Sequence, residues 1–224
     1  MNELLNKFNI KTNNLDIYET AFTHSSYAVK QELPLDYERL EFLGDSILNM
    51  IVSDILFKMH PNFGEGKLTK IRANYVCQQA LIFYSHKFGL DQYVKLDFED
   101  SYLTKNEVLS ITADVFESFL GAIYLDQGFD TVKKFLIETI YPYIKQKLIF
   151  FYDYKSSIKE YGDANEVKVD YELLEEKGLP HNKTFKMCIL IDGEQYGTGV
   201  GKNKKDAEQL AAKEAISKLN IESK

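Results

Sequence analysis

Glu38-Arg39-Leu40-Glu41-Phe42-Leu43-Gly44-Asp45-Ser46 is the stretch on which the reading of this chain turns. At 3.6 residues per turn, Glu38, Glu41 and Asp45 fall within about 60° of one another on a helix, and Leu48 and Val52 continue the same stripe. A solvated acidic face stays polar and carries Lys or Arg three or four residues away. This one turns apolar within a turn, so its acids are expected to point inward. An ionised carboxylate out of water is costly unless it meets a cation or takes up a proton, and a bound divalent metal removes the difficulty.

A second stretch of the same kind is Ile111-Thr112-Ala113-Asp114-Val115-Phe116-Glu117-Ser118-Phe119-Leu120-Gly121-Ala122-Ile123. Asp114 and Glu117 lie one turn apart. Ile111, Ser118, Gly121 and Leu125 complete their face with small or apolar groups that let another helix approach closely. Two acidic helices are thus expected to face each other and to form an all-oxygen site, which suits hard Mg²⁺ or Mn²⁺ rather than zinc. Mg²⁺ favours phosphate oxygens, so the chemistry points to phosphoryl groups. The bland reading makes the acids structural, paired with Lys67, Lys70 or Arg72.

The 224 residues, 45% hydrophobic and 27% charged, suit a globular protein of one or two domains. The start, Met1-Asn2-Glu3-Leu4-Leu5-Asn6-Lys7, has no basic region followed by an apolar run, and no apolar segment reads as long enough to span a bilayer, so a cytoplasmic protein without membrane attachment is expected. Cys77 and Cys188 stand far apart with no Cys or His at ligand spacing, so neither a disulfide framework nor a zinc site is suggested. A net charge of −7 and a pI near 5.2 weigh against nucleic-acid binding unless local patches supply the cations. Of the 27 basic residues only Arg39 and Arg72 are arginine, and Arg39, inside the acidic motif, is a candidate for orienting a carboxylate or phosphate.

Residues 1–150 read as helices throughout. An amphipathic pattern runs from Tyr37 to His60 and stops at Pro61-Asn62-Phe63-Gly64-Glu65-Gly66; another runs from Lys67 to Phe88 and ends at Gly89. Asn106 or Ser110 is expected to start the second acidic helix, which ends near Gln127-Gly128, and a last helix spans Asp130 to about Phe150. The periodicity then changes. A short helix at Tyr154–Tyr161 precedes two alternating runs, Val167-Val169-Tyr171-Leu173 and Phe185-Met187-Ile189-Ile191, which read as half-buried strands. Asp192-Gly193 is a hairpin-turn signal leading to a third strand, Glu194–Val200, and a helix follows from Lys204 to Leu219.

Within that tail, Asn203 with Asp206 three positions on resembles a capping box, so the final helix starts at Lys204. Lys204 and Lys205 then oppose the helix dipole unless a phosphate docks there. The loop Gly178-Leu179-Pro180-His181-Asn182-Lys183 is polar enough to enter a groove.

With these residues in view, the chain resembles the bacterial ribonuclease III family over nearly its whole length. Glu38 to Ser46 is similar to that family's signature, and Thr23-His24-Ser25-Ser26-Tyr27 and Ala113-Asp114-Val115-Phe116-Glu117 to its flanking motifs. Asp153-Tyr154-Lys155, Leu179-Pro180-His181 and Lys204-Lys205-Asp206-Ala207-Glu208-Gln209 resemble a double-stranded RNA-binding domain. The resemblance implies an all-helical endonuclease domain, residues 1–150, followed by a small α-β-β-β-α domain, residues 151–224.

It further implies that Glu41, Asp45, Asp114 and Glu117 bind Mg²⁺, with Mn²⁺ able to substitute, that Asp45 and Glu117 are catalytic, and that Glu38 sits at the RNA-facing edge. Ser156, Lys159 and Glu160 take the minor-groove positions, His181 the groove loop, and Lys202, Lys204 and Lys205 the phosphates. Lys159 departs from the glutamine usual there, and Tyr37 from the asparagine usual before the signature glutamate; the first change favours phosphate or ribose contact over base-edge reading. A-form RNA is recognised by shape through 2′-hydroxyls and phosphates, so a few lysines suffice in an acidic protein.

The implied activity is hydrolysis of phosphodiesters in double-stranded RNA, with water attacking in line, leaving 5′-phosphate and 3′-hydroxyl ends with short 3′ overhangs, in the processing of ribosomal and other structured RNA precursors. No small-molecule organic cofactor is implied. Cutting both strands needs two carboxylate clusters related by a twofold axis, hence a homodimer. Phe42, on the flank of the signature helix, suits burial between subunits, the alternative being that it fills the monomer core. A catalytically silent duplex-RNA-binding regulatory protein and a phosphohydrolase of small nucleotides are the competing readings.

Overall fold

The computed structural model describes residues 1–97, 103–179 and 183–221, which form two compact units, Met1–Phe151 and Tyr152–Lys224. In the first unit short helices α1 (Asn2–Lys7), α2 (Leu15–Ala21) and α3 (Ser25–Lys30) precede the long α4 (Glu38–Met59). Then come α5 (Glu65–Val76), α6 (Gln78–Phe88), a 3₁₀ turn at Asp91–Tyr93, α7 (Lys105–Gln127), α8 (Phe129–Thr139) and α9 (Tyr141–Lys145).

The unit is organised around α4 and α7. The inner stripe of α4 is Leu40, Gly44, Ile47, Leu48, Ile51, Val52, Ile55 and Leu56, all buried. On α7, every residue from Ile111 to Ile123 is buried except the half-buried Asp114. A β-carbon on Gly44 would stand 1.8 Å from the Glu117 carbonyl oxygen, and one on Gly121 would stand 2.3 Å from that of Leu40. The two helices therefore cross backbone to backbone, and only glycine fits at either point. The sequence expectation that small groups on the second acidic helix admit a partner holds at Gly121, whereas Leu125, assigned to the same face, is exposed.

Helix α7 begins earlier than expected. Thr104 caps it: the Glu107 backbone N–H donates to Thr104 Oγ1 (3.3 Å) and the Thr104 N–H donates to Glu107 Oε2 (2.5 Å), a reciprocal capping box. By length and composition α7 could cross a membrane, contrary to the reading that no segment could, but its apolar residues are the core of this unit.

Two helices expected to be continuous are broken. Cys77 takes an extended conformation (φ −73°, ψ 158°) and divides Lys67–Phe88 into α5 and α6, the latter ending at Gly89 (φ 72°) as expected. The expected helix from Asp130 to Phe150 stops at Thr139 and resumes for one turn with Pro142 near its start, where a missing N–H costs nothing. Beyond Lys145 the chain is held by Asn74, whose amide donates to the Leu148 carbonyl (2.8 Å) and accepts from the N–H groups of Phe150 (2.7 Å) and Phe151 (2.9 Å). The Phe150 ring packs on Phe83 and Tyr84 with centroids 5.1 and 5.3 Å away.

The second unit comprises α10 (Tyr154–Asn165), β1 (Val169–Lys177), β2 (Thr184–Ile191), β3 (Glu194–Gly201) and α11 (Lys204–Lys218). The sheet is antiparallel in the order β1-β2-β3, and Asp192 (φ 49°) with Gly193 (φ 83°) makes the expected turn. Strand β1 starts two residues later and runs further than the alternation indicated, with a bulge between Leu173 and Glu175. Ile158 from α10, Ile189 and Ile191 from β2, and Ala211, Ala212, Ala215 and Ile216 from α11 form its core. Asn203 caps α11, accepting from the Asp206 N–H (2.9 Å), while the return bond comes from the Asn203 side-chain amide to Asp206 Oδ2 (2.7 Å) rather than from its backbone.

Gly44→Ala is expected to destabilise the chain by about 3 kcal/mol through forced separation of α4 and α7. Urea unfolding of the variant against the parent checks this, and an unchanged midpoint would show that the crossing is not tight.

Candidate active site

The crossing of α4 and α7 places Glu41 and Asp45 on one helix opposite Asp114 and Glu117 on the other. Tyr37, Glu38, Glu41, Phe42, Asp45, Asp114 and Glu117 line one open pocket of roughly 500 Å³. Its floor is Glu117, 9% exposed, with Glu41 and Asp114 half-buried on the walls. Glu38 and Asp45 are exposed at the rim, so the inward orientation read from the sequence holds for three of the five acids.

Burial and mutual repulsion define the electrostatics. Burial first, then the charges of Asp45, Glu41 and Asp114, push the Glu117 carboxyl up to about 8. Burial, then Asp114, Glu38 and Asp45, push Glu41 up to about 7. Asp114 is also raised by burial, against the opposing pull of the Tyr37 hydroxyl and of His24. Among the described residues no Lys or Arg forms an ion pair with these acids. Arg72 donates instead to Ser53 Oγ (3.0 Å) and Lys67 lies 3.9 Å over the Phe63 ring, which sets aside two of the three partners in the bland reading.

Two supporting residues lay outside the sequence reading. The Tyr37 hydroxyl donates to Asp114 Oδ2 at 3.2 Å across 77 positions of chain, a link without a local sequence signal. Asn49 Nδ2 donates to Asp45 Oδ1 at 2.6 Å, one helical turn away, and that spacing was readable.

A crowded, all-carboxylate donor set that forms no ion pair with a Lys or Arg among the described residues is the chemistry that a hard divalent ion satisfies. As the rotamers stand, no three His, Cys, Asp or Glu side chains among the described residues are spaced to hold a single ion, so ligation calls for side-chain rotation across the pocket. Phe42 is 78% exposed, which removes the reading that it fills the monomer core, whereas its neighbour Leu40 is buried. Arg39 is exposed and lines not the carboxylate pocket but an adjoining groove, with Asp16 and Asp36, that shares Glu38 and Phe42 with it.

In the second unit Ser156 sits in the first turn of α10, its N–H and hydroxyl donating to the Asp153 carboxylate (3.1 and 2.7 Å). Lys159 and Glu160 are exposed one turn on, and Lys202, Lys204 and Lys205 are exposed at the start of α11. Lys155 pairs with Glu208 and lies over the Tyr171 ring. His181 lies outside the described residues.

A helical unit with a carboxylate pocket, joined to an α-β-β-β-α unit presenting lysines, has the make-up of a nuclease with a duplex-RNA-binding module. Comparison with known proteins agrees: residues 14–144 match the ribonuclease-III-like family and residues 154–219 the double-stranded RNA binding motif. The chain is 41% identical over 210 residues to a protein named Ribonuclease 3 of Staphylococcus aureus strain Mu3, covering 92% of this chain and 86% of that one. It is 40% identical over 223 residues to a Ribonuclease 3 of Latilactobacillus sakei subsp. sakei strain 23K, covering 98% and 97%. A solved nuclease domain of ribonuclease III from Campylobacter jejuni, whose structure is described as flexible in a region involved in dimer formation, superposes with a TM-score of 0.56 at 28% identity, over 61% of this chain and 93% of that one.

The chain belongs to the ribonuclease III family, the double-stranded-RNA-specific endoribonucleases with a C-terminal RNA-binding motif.

The raised carboxyls set a pH dependence. Glu117 and Glu41 ionise more reluctantly folded than unfolded, so in divalent-free buffer stability falls as pH rises from their ordinary range near 4.5 through about 7 and 8. Melting scans between pH 5 and 8 are expected to show a loss of several degrees that Glu117→Gln cuts by about half, Glu41 supplying the remainder. A flat profile, or the same loss in the variant, would contradict the pocket's electrostatics.

Proposed function

We propose that Glu41, Asp45, Asp114 and Glu117 hold Mg²⁺, or Mn²⁺ in its place, and that the pocket they line hydrolyses phosphodiester bonds within RNA duplexes. The observation that carries this is one pocket receiving four carboxylates from two crossing helices, with no ion pair to a Lys or Arg among the described residues. The ion, when bound, supplies Lewis-acid polarisation of phosphate oxygens and cancels the repulsion among the acids.

The chain's own residues do the rest. Asp45 and Glu117, reaching the pocket from facing helices, are the two carboxylates assigned to catalysis; Glu117 is the more deeply buried, and its ionisation is the one that most needs a cation. Glu38, on the rim, lies where the backbone of a docked duplex would pass. Tyr37 and Asn49 hold one carboxylate oxygen each of Asp114 and Asp45. The open mouth of the pocket suits a polymer better than a small nucleotide, which would need an enclosing site.

Residues 1–150 are assigned the cutting and residues 151–224 the grip on RNA. In the latter, Ser156, Lys159 and Glu160 on α10, together with His181, are assigned to the minor groove, and Lys202, Lys204 and Lys205 to phosphates. The lysines lie exposed on a protein of net charge −7, so binding depends on this local cluster. One pocket addresses one strand; two copies about a twofold axis address both, and the exposed Phe42 beside the pocket is the apolar group such a dimer would cover. The products are short-overhang duplexes with 5′-phosphate and 3′-hydroxyl ends, made in the cytoplasm from ribosomal and other structured precursors. The full set of acids tells against a catalytically silent binding protein.

Glu117→Gln is expected to keep duplex affinity and to lose cleavage by about 10²–10³-fold or more, read by gel assay on a long RNA duplex with Mg²⁺; normal cutting by the variant would remove Glu117 from the mechanism. Replacing Lys204 and Lys205 together by Ala is expected to weaken binding and to flatten its logarithmic salt dependence by about two. An unchanged slope in filter-binding titrations would place the phosphate contacts elsewhere.

A further inference from the structure

Tyr37 occupies the position immediately before the acidic signature and is 4% exposed. Its place is fixed from several directions. The backbone N–H donates to the Thr23 carbonyl (3.0 Å), and its own carbonyl accepts from the N–H groups of Leu40 and Glu41 (both 2.9 Å), closing the first turn of α4. The ring lies against the His24 imidazole, centroids 5.7 Å apart. That imidazole is held in turn as the cap of α3, where Nδ1 accepts from the Ser26 N–H (3.2 Å) and lies 2.8 Å from Ser26 Oγ. A phenol has two side-chain torsions, and packing of this kind leaves neither free.

The hydroxyl so positioned lines the carboxylate pocket and donates to Asp114 Oδ2 at 3.2 Å. One oxygen of Asp114, a residue that lines the pocket, is therefore tied to the start of α4, and Oδ1 is the oxygen not engaged in that bond. We infer that Tyr37 is a positioning residue, a fixed donor that aims the Asp114 carboxylate at the cation site and so raises the affinity of the pocket for a divalent ion. Groups that hydrogen-bond a ligating side chain commonly change metal affinity by about 10–100-fold when removed. The bond also joins α4 to α7 at the pocket's edge, beyond the Gly44 and Gly121 crossing. The inference rests on the metal assignment proposed above and adds to it a residue that the resemblance places as asparagine, whose shorter side chain cannot make the same reach from that backbone position.

The experiment is Mn²⁺ binding to the full chain, followed by the loss of the free-ion electron paramagnetic resonance signal, alongside the melting temperature in divalent-free buffer. Tyr37→Phe keeps the ring and deletes only the donor; its Mn²⁺ dissociation constant is expected to rise about tenfold. Tyr18→Phe is the control. It deletes another tyrosine hydroxyl bonded to a carboxylate, Asp126 at 2.7 Å, on residues outside the pocket, and is expected to leave the dissociation constant within about twofold whatever it does to the melting temperature. In an Asp114→Asn background, Tyr37→Phe is expected to have no further effect on affinity.

An unchanged dissociation constant in Tyr37→Phe, an equal rise in Tyr18→Phe, or an undiminished effect in the Asp114→Asn background would overturn the inference. Failure of the parent chain to bind Mn²⁺ at all would overturn the metal assignment itself, an outcome distinct from these three.

Discussion

The backbone contact between α4 and α7 is the constraint on which the pocket depends. Gly44 lies against the Glu117 carbonyl and Gly121 against that of Leu40, so each glycine touches the helix that carries the opposing acids. With larger residues the axes would part toward the 8–10 Å typical of helices that meet through side chains, and carboxylates from opposite helices would no longer share one pocket. Apolar residues of the same two helices, among them Leu48, Ile51, Val52, Phe116 and Phe119, are fully buried and supply the attraction that holds the contact. Adhesion and repulsion are thus carried by different faces of the same two helices.

That segregation explains why a protein keeps so unfavourable a cluster. Each acid raises the cost of ionising its neighbours, and at the floor of the pocket Glu117 is the most deeply buried of them, its carboxyl pushed up to about 8. A cluster of this kind weakens the fold when no cation is bound, and the large core of the same helices is what makes the expense tolerable. Donors that aim rather than neutralise, the hydroxyl of Tyr37 and the amide of Asn49, are the neutral groups that can order such a site without competing for the place of a cation.

Much of this was legible in the sequence, for definite reasons. Acid spacing at three and four residues, followed at once by apolar residues, marked the side of α4 whose acids line the pocket, and the Asp114 and Glu117 pair with Gly121 identified its partner. Alternation and the Asp192-Gly193 turn disclosed the sheet of the second unit. The break at Cys77 was not legible, because neither Gly nor Pro marks the point where the backbone turns extended. The break before Tyr141 was partly legible in Pro142, and the true start of α7 in the Thr104 and Glu107 spacing. Depth was the other gap: periodicity places Asp45 on the acidic stripe but does not show that the stripe emerges at a rim, where Asp45 is exposed. The Tyr37 to Asp114 bond spans the unit and could be found only in three dimensions.

The central claim is that acids from separate helices share one divalent ion. Crystals of the full chain soaked in Mn²⁺, with data collected near the manganese absorption edge, test it most directly. An anomalous peak at about 2.2 Å from carboxylate oxygens of both helices, from Glu41 or Asp45 on one and Asp114 or Glu117 on the other, is the expected result. Manganese found only on one helix, or elsewhere on the surface with this pocket bare, would contradict it.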